Sequence, residues 1–206
     1  MKNIITIQHT EAAHHLSGMV GSWADYGLTG SGTQQANRIG EKLSAEIGSR
    51  SRFYKMYASD LVRARQTAEI VGYFLGIEAI INTDLRERNL GEASGKSVEW
   101  ARENEVRGNF LDEEPFKGAE SIRQTWNRLK KFHDELMDTP DENIIIVSHG
   151  ESLSLFYAIW LGWEVEMLEK YRLRGRSGGV SFLREDENGV RIIERLNDLY
   201  YKSYDK

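Results

Sequence analysis

The 206-residue chain contains no cysteine. Disulfide cross-links, thiolate nucleophiles and cysteine-ligated metal centres are therefore excluded, and a reducing, cytoplasmic setting is expected. Proline is scarce, with 2 residues, and no stretch has the composition of a linker, so residues 1–206 are read as one domain. Long apolar runs are missing as well. The longest, around Leu153 to Leu161, falls far short of the roughly 20 residues a bilayer span needs, and the first residues lack the longer apolar core of a secretory signal. Basic residues do not dominate: 27 Lys and Arg against 32 Asp and Glu leave a net charge of -5. That balance argues against a nucleic-acid or anionic-membrane partner.

What is present is ordinary globular material, 40% hydrophobic and 29% charged, with enough length for one sizeable core. Strand-like and helix-like segments alternate. Residues 3–7 (NIITI) and 143–148 (NIIIVS) are short, nearly continuous apolar runs, the pattern of strands buried on both faces. Residues 53–59 read as a further strand. Helical periodicity covers 33–48, 60–76, 120–138 and 152–162, with Asp60 a candidate N-cap and Gly76 a stop. The tail reads as a hairpin turning at Glu187-Asn188-Gly189. Residues 88–118 read as an irregular excursion. The pattern predicts an α/β three-layer sandwich, with a mostly parallel central sheet and helices on both faces.

The two most apolar strands both run into a histidine, His9 and His149. In a parallel sheet their carboxyl ends share one edge, where open α/β sheets bind ligands. A third strand ends at Ser59-Asp60 and enters a helix whose first turn carries Arg63, a favourable setting for an anion. Taken singly, a strand-end histidine or a first-turn arginine is more often structural. Together on one rim they point to a phosphate pocket. His133, in a helix among Lys and Asp, reads as solvated surface.

The motifs settle the direction. IQHTE, LTGSGTQQA, SDLVRARQTA, LRERNLG, GAES and IVSHG follow one another in this order. The set resembles the histidine phosphatase superfamily, also called phosphoglycerate mutase-like, and spans roughly three quarters of the chain. The resemblance implies that His9 is the nucleophile that becomes phosphohistidine. It implies that Arg63 and His149 bind phosphoryl oxygens, that Glu87 donates a proton to the leaving oxygen, and that His15 stands where many members place a phosphate-touching asparagine. It implies no cofactor and no metal. The chemistry is coherent: neutral imidazole is nucleophilic near physiological pH, and fixed cationic donors stabilise the charge on a phosphoryl group in transfer.

Two departures stand out. The family's Arg-His-Gly is Gln8-His9-Thr10 here, so a fixed charge with a two-pronged fork gives way to one neutral amide, and Thr10 adds a hydroxyl beside the nucleophile. Gln8, Thr10 and His15 join Arg63 and His149 as expected substrate contacts. If His15 or His14 replaces the missing charge, activity should follow a narrow bell on the acidic side of neutral. The resulting expectation is a phosphomonoester hydrolase acting on a small phosphate ester, with a homodimer left open. The alternatives are phosphoglycerate mutase-type transfer, or a catalytically weakened module that binds a phosphorylated ligand. The short span from Glu87 to His149 favours the phosphatase over the mutase, whose members tend to carry a longer insertion there.

Overall fold

The computed structural model describes residues 1–106 and 108–203. Its elements run β1 (Lys2–Gln8), α1 (Ala13–Ser17), α2 (Gly30–Ile47), β2 (Tyr54–Ala58), α3 (Val62–Leu75) and β3 (Ala79–Ile81), then α4 (Val98–Asn104), α5 (Ile122–Asp138), β4 (Asn143–Ser148), α6 (Gly150–Trp160), β5 (Val180–Glu185) and β6 (Arg191–Asp198). The strands form one six-stranded sheet in the order β3-β2-β4-β1-β5-β6. β1, β2, β3 and β4 are mutually parallel, while β5 and β6 add an antiparallel edge.

The apolar runs of β1 and β4 are continuous because both faces of these strands are covered. Successive side chains point to opposite faces. Ile4, Ile144 and Ile146 join a core with α5 and α6, built on Trp126, Leu129, Phe132 and Phe156. Ile5, Ile7, Ile145 and Val147 join a second core with α2 and α3, built on Ile39, Leu43, Ala68 and Val71. This is the expected three-layer sandwich. Burying one such Ile or Leu side chain stabilises the fold by about 1.5–3 kcal/mol.

Several expectations change at the element ends. Helix α2 starts earlier than its periodicity, at Gly30, because the Thr29 hydroxyl accepts a hydrogen bond from Gly32 N–H at 2.9 Å. Asp60 is not the cap of α3. Its carboxylate forms an ion pair with Arg86 (2.5 Å), and Asp25 Oδ1 instead accepts from Val62 N–H at 3.2 Å. The 88–118 region holds a real helix, α4, capped by Ser97. His133 is buried rather than solvated. It lies on the same stripe of α5 as Leu129 and Leu136, with ring centroids 5.9 Å from Phe156 and 6.3 Å from Trp160. Asp134 Oδ1 meets its Nδ1 at 3.0 Å. The tail is likewise docked: Tyr201 is buried in the second core and its hydroxyl donates to Glu46.

Candidate active site

β1 and β4 deliver His9 and His149 to the same sheet edge, with ring centroids 5.2 Å apart. The backbone around His9 is fixed from two sides. Its N–H donates to Ser148 O at 2.9 Å, and its carbonyl accepts from Gly178 N–H at 3.2 Å. Beyond it the chain crosses the start of α2 so closely that a Cβ on Gly32 would collide with the Glu11 carbonyl. The Thr10 hydroxyl donates to Gly32 O at 2.8 Å and is fully buried. Thr10 therefore braces the His9 loop on α2, and its side chain is not among those lining the pocket.

The His9 ring has a defined tautomer. Nδ1 lies 2.8 Å from the Thr10 carbonyl, which can only accept, so Nδ1 carries the proton. Nε2 is left with its lone pair, and Arg63 Nε–H approaches it at 3.2 Å. Burial first, then the Arg63 charge, holds the imidazole pKa well below its ordinary value. The ring is a buried, neutral imidazole at physiological pH.

Arg63 sits in the first turn of α3 and is almost wholly buried. Its guanidinium is held by the 18–29 loop: Nη2 donates to Ser22 O at 2.6 Å and Nη1 to Ala24 O at 3.1 Å. Ser22 takes the left-handed backbone region, φ 41°. Its hydroxyl is bound twice, donating to Arg88 O (3.0 Å) and accepting from Leu90 N–H (2.7 Å). Such strain persists where surrounding contacts over-determine a residue, often at functional sites.

His149 is fully buried, with Nε2 2.9 Å from the Ser59 hydroxyl. Its Nδ1 meets no protein partner among the described residues. Burial, followed by the charge of Arg63, lowers its pKa well below the usual value. Glu87 reaches the N-terminus of α6. Its Oε1 accepts from Ser152 N–H (3.1 Å) and Arg88 N–H (3.0 Å), and its Oε2 from Glu151 N–H (3.3 Å). The loop that carries it is pinned by Trp23 Nε1–H to Glu87 O (2.7 Å) and by Arg128, which donates to the carbonyls of Asp84, Arg86 and Glu87.

Histidines 14 and 15 both reach this edge on α1. The His15 ring lies 5.4 Å from that of His9 and nearly parallel to it, at 11°. Ala12 N–H donates to His15 Nδ1 at 3.2 Å, which leaves the proton on Nε2. His15 is thus a hydrogen-bond donor while neutral. The His14 ring stands 4.1 Å from His15 and 5.9 Å from His9; Gly21 makes room for it, since a Cβ there would lie 2.8 Å from the ring. Desolvation followed by the charge of His15 brings His14 down to about 3. Desolvation, then Arg63, also lowers His15. The expected bell takes an ordinary histidine value for His14 or His15 in the free protein, and both environments lie below it.

Gln8, His9, His14, His15, Arg63, Glu87, Arg88 and Glu151 line a cavity of about 210 Å³. Ring nitrogens of His9, His14 and His15 all lie within 4.8 Å of one another, a spacing that could hold a metal ion. Their lone pairs are largely claimed, however, by Arg63 on His9 and by Ala12 on His15, and a guanidinium beside them repels a cation. The arrangement suits an anion. Gln8 turns away from a fork-like role. Its amide lies against Gly150 and Gly175, where a Cβ on either glycine would crowd it, and its Oε1 is buried without a partner among the described residues. His14 is, with His15, a sequence candidate for the missing charge, whereas no motif assigns a role to Ser22, Trp23, Arg128 or Glu151.

A buried neutral imidazole aimed beside a buried arginine, at the carboxyl edge of a doubly covered sheet, defines a phosphoryl-transfer class of site. Comparison with known proteins agrees. Residues 4–199 match the histidine phosphatase superfamily (branch 1), and the chain belongs to that superfamily. It is 29% identical over 162 residues to "Phosphoglycerate mutase-like protein 4" of Arabidopsis thaliana, covering 75% of this chain and 69% of that one. It is 27% identical to the "Probable phosphoglycerate mutase GpmB" of Erwinia tasmaniensis, over 86% of this chain and 83% of that one. Among solved structures, the alpha-ribazole phosphatase from Shigella flexneri superposes with a TM-score of 0.81 at 22% identity, covering 96% of both chains. A mycobacterial glucosyl-3-phosphoglycerate phosphatase gives 0.80 at 20% identity, over 96% of this chain and 99% of that one. These two likenesses concern the fold.

Proposed function

We propose that the protein is a phosphomonoester hydrolase that works through a phosphohistidine on His9. The observation that carries this reading is the His9 tautomer: Nδ1–H bonded to Thr10 O and Nε2 directed at Arg63. In the first step Nε2 attacks phosphorus, the bond to the ester oxygen breaks, and the leaving oxygen takes a proton from the carboxyl of Glu87. Arg63, His15 Nε2–H and the ring of His149 bind the equatorial oxygens. In the second step water attacks phosphorus, Glu87 takes the water proton, and the P–N bond breaks to release phosphate and free His9. No metal takes part. The lack of cysteine fits work in the cytoplasm.

A second reading, phosphoglycerate mutase-type transfer, is favoured by the sequence relatives, which include 2,3-bisphosphoglycerate-dependent phosphoglycerate mutases 26% identical over 95% of this chain. In it, the phosphohistidine passes its group to a hydroxyl rather than to water. A third reading, a binding module with a weakened site, draws on the neutral amide of Gln8. Turnover of a ³²P-labelled aryl phosphate followed by quenching separates these readings. Acid-labile, base-stable label on the peptide containing His9, with steady release of inorganic phosphate, is expected. Label on a serine or aspartate would overturn the mechanism, label without phosphate release would favour the mutase, and no label with tight phosphate binding would favour the module.

A further inference from the structure

Beside the phosphate pocket lies a second cavity of about 300 Å³. The two share Gly150 and Glu151 as common walls. Gln8 stands at the partition, since it lines the phosphate pocket while its amide lies against Gly150 and Gly175, both of which line the second cavity. The walls of the second cavity are unlike those of the first. Ile122, Leu155 and Leu168 are buried core residues, and Phe110 and Leu173 pack against them. Its lip carries Arg172 and Arg174. The Arg172 guanidinium lies 3.9 Å above the Phe110 ring, which props it at the edge. Arg174 has no carboxylate partner among the described residues. The one acid in the lining, Glu151, has Arg88 at 3.7 Å to balance it.

We propose that this cavity holds the leaving group of the ester, and that the leaving group is an alcohol or phenol with an apolar body and a distal carboxylate or phosphate. This rests on the hydrolase reading above and gives it a substrate class. In this pose, with phosphorus at His9, the bridging oxygen faces the wall that the two cavities share. The carbon skeleton then enters the second cavity, covers its apolar side chains, and brings its far end to the two arginines. A three-carbon glycerate is too short and too polar to cover those side chains. A bulky neutral sugar lacks the apolar surface that they would bury and the charge that the lip would pair.

Phosphonates that cannot be hydrolysed test this apart from catalysis. Binding of methylphosphonate, phenylphosphonate, 4-butylphenylphosphonate and 4-(3-carboxypropyl)phenylphosphonate is measured by calorimetry on the whole protein. Each methylene that enters the cavity should tighten binding about fourfold, so the butyl compound is expected to bind at least tenfold more tightly than the phenyl one. The carboxylate should add a further gain that disappears in Arg174→Gln. In Ser154→Trp, which fills the cavity from the exposed side of α6, the ratio between butylphenyl and methyl compounds should collapse; Leu173→Asp, placed in a loop, should do the same. Binding of all four with no gain along the series overturns this inference and leaves the hydrolase reading standing. A gain that survives both Ser154→Trp and Leu173→Asp also overturns it, and failure of every phosphonate to bind overturns both.

Discussion

Acidification should unfold this protein steeply, and the buried histidines set the magnitude. His9, His133 and His149 are each 3% exposed or less. In all three, burial is the leading cause that lowers the pKa in the folded state. An unfolded chain protonates them near 6.5. Below that value the unfolded state binds protons that the folded state refuses, so stability is present at neutral pH and is lost as pH falls. Each such proton contributes a slope of about 1.4 kcal/mol per pH unit, and three give up to about 4 kcal/mol per unit. A typical domain has a total stability of about 5–15 kcal/mol, so one or two units below 6.5 consume much of it. The more exposed His14 and His15 are left out of this sum because solvent screens them.

Urea unfolding at a series of pH values between 7.5 and 5 measures the slope directly. His133→Phe is the internal control, because His133 does not line the phosphate pocket and packs against Phe156 and Trp160, where a phenyl ring fits. The substitution should make the acid slope shallower, at a cost limited to the bond with Asp134. A flat stability profile from pH 7 to 5, or identical slopes in the two proteins, would refute the reasoning.

Further outcomes follow from the site. Because His9 stays neutral well below 6.5, kcat/KM should persist on the acid side until the fold itself gives way; an acid limb centred at or above 6.5 in a pH–rate profile contradicts this. Gln8→Arg should tighten inorganic phosphate by about 10–100-fold through one charge-assisted hydrogen bond. It should also lower stability, since Arg63 lines the same cavity and a second guanidinium there adds like-charge repulsion. Combined with His15→Asn, calorimetry should show non-additive changes, and additivity would mean that the two side chains do not share a phosphate. Arg63→Lys cannot reproduce the bonds to Ser22 O, Ala24 O and His9 together, so kcat/KM should fall about 10²–10³-fold; a loss below tenfold would remove Arg63 from the mechanism. Activity should survive excess chelator, and loss that zinc or manganese restores would instead assign the three-histidine cluster a metal.

The layers of the fold were legible because β1 and β4 are apolar on both faces and α5 keeps a clean stripe. What escaped depended on contacts between distant segments. Asp60 looked like a cap from its position before a helix, but Arg86, from a different loop, claims its carboxylate. His133 looked solvated because its sequence neighbours are charged, although its spacing from Leu129 and Leu136 already placed it inward. α4 and α1 are short helices with too few turns for periodicity to register. At the site, the sheet edge announced His9, His149 and Arg63, which follow strands or open a helix. Thr10 was read toward the ligand because it adjoins His9, whereas the chain turns and sends its hydroxyl to α2. The carbonyls of Ser22 and Ala24 that hold Arg63 carry no side-chain signature.

The crossing at Gly32 has a consequence for mutational scanning. A residue without a side chain, outside the pocket lining, sets the distance between the His9 loop and the start of α2. Any substitution there pushes on the Glu11 backbone two residues from His9, so in whatever fraction folds its penalty would be recorded as lost turnover. An activity screen would then rank a spacer alongside the reacting groups. Reading both phosphate affinity and phosphohistidine formation would tell them apart, because a shifted imidazole weakens attack more than it weakens the hold on the anion.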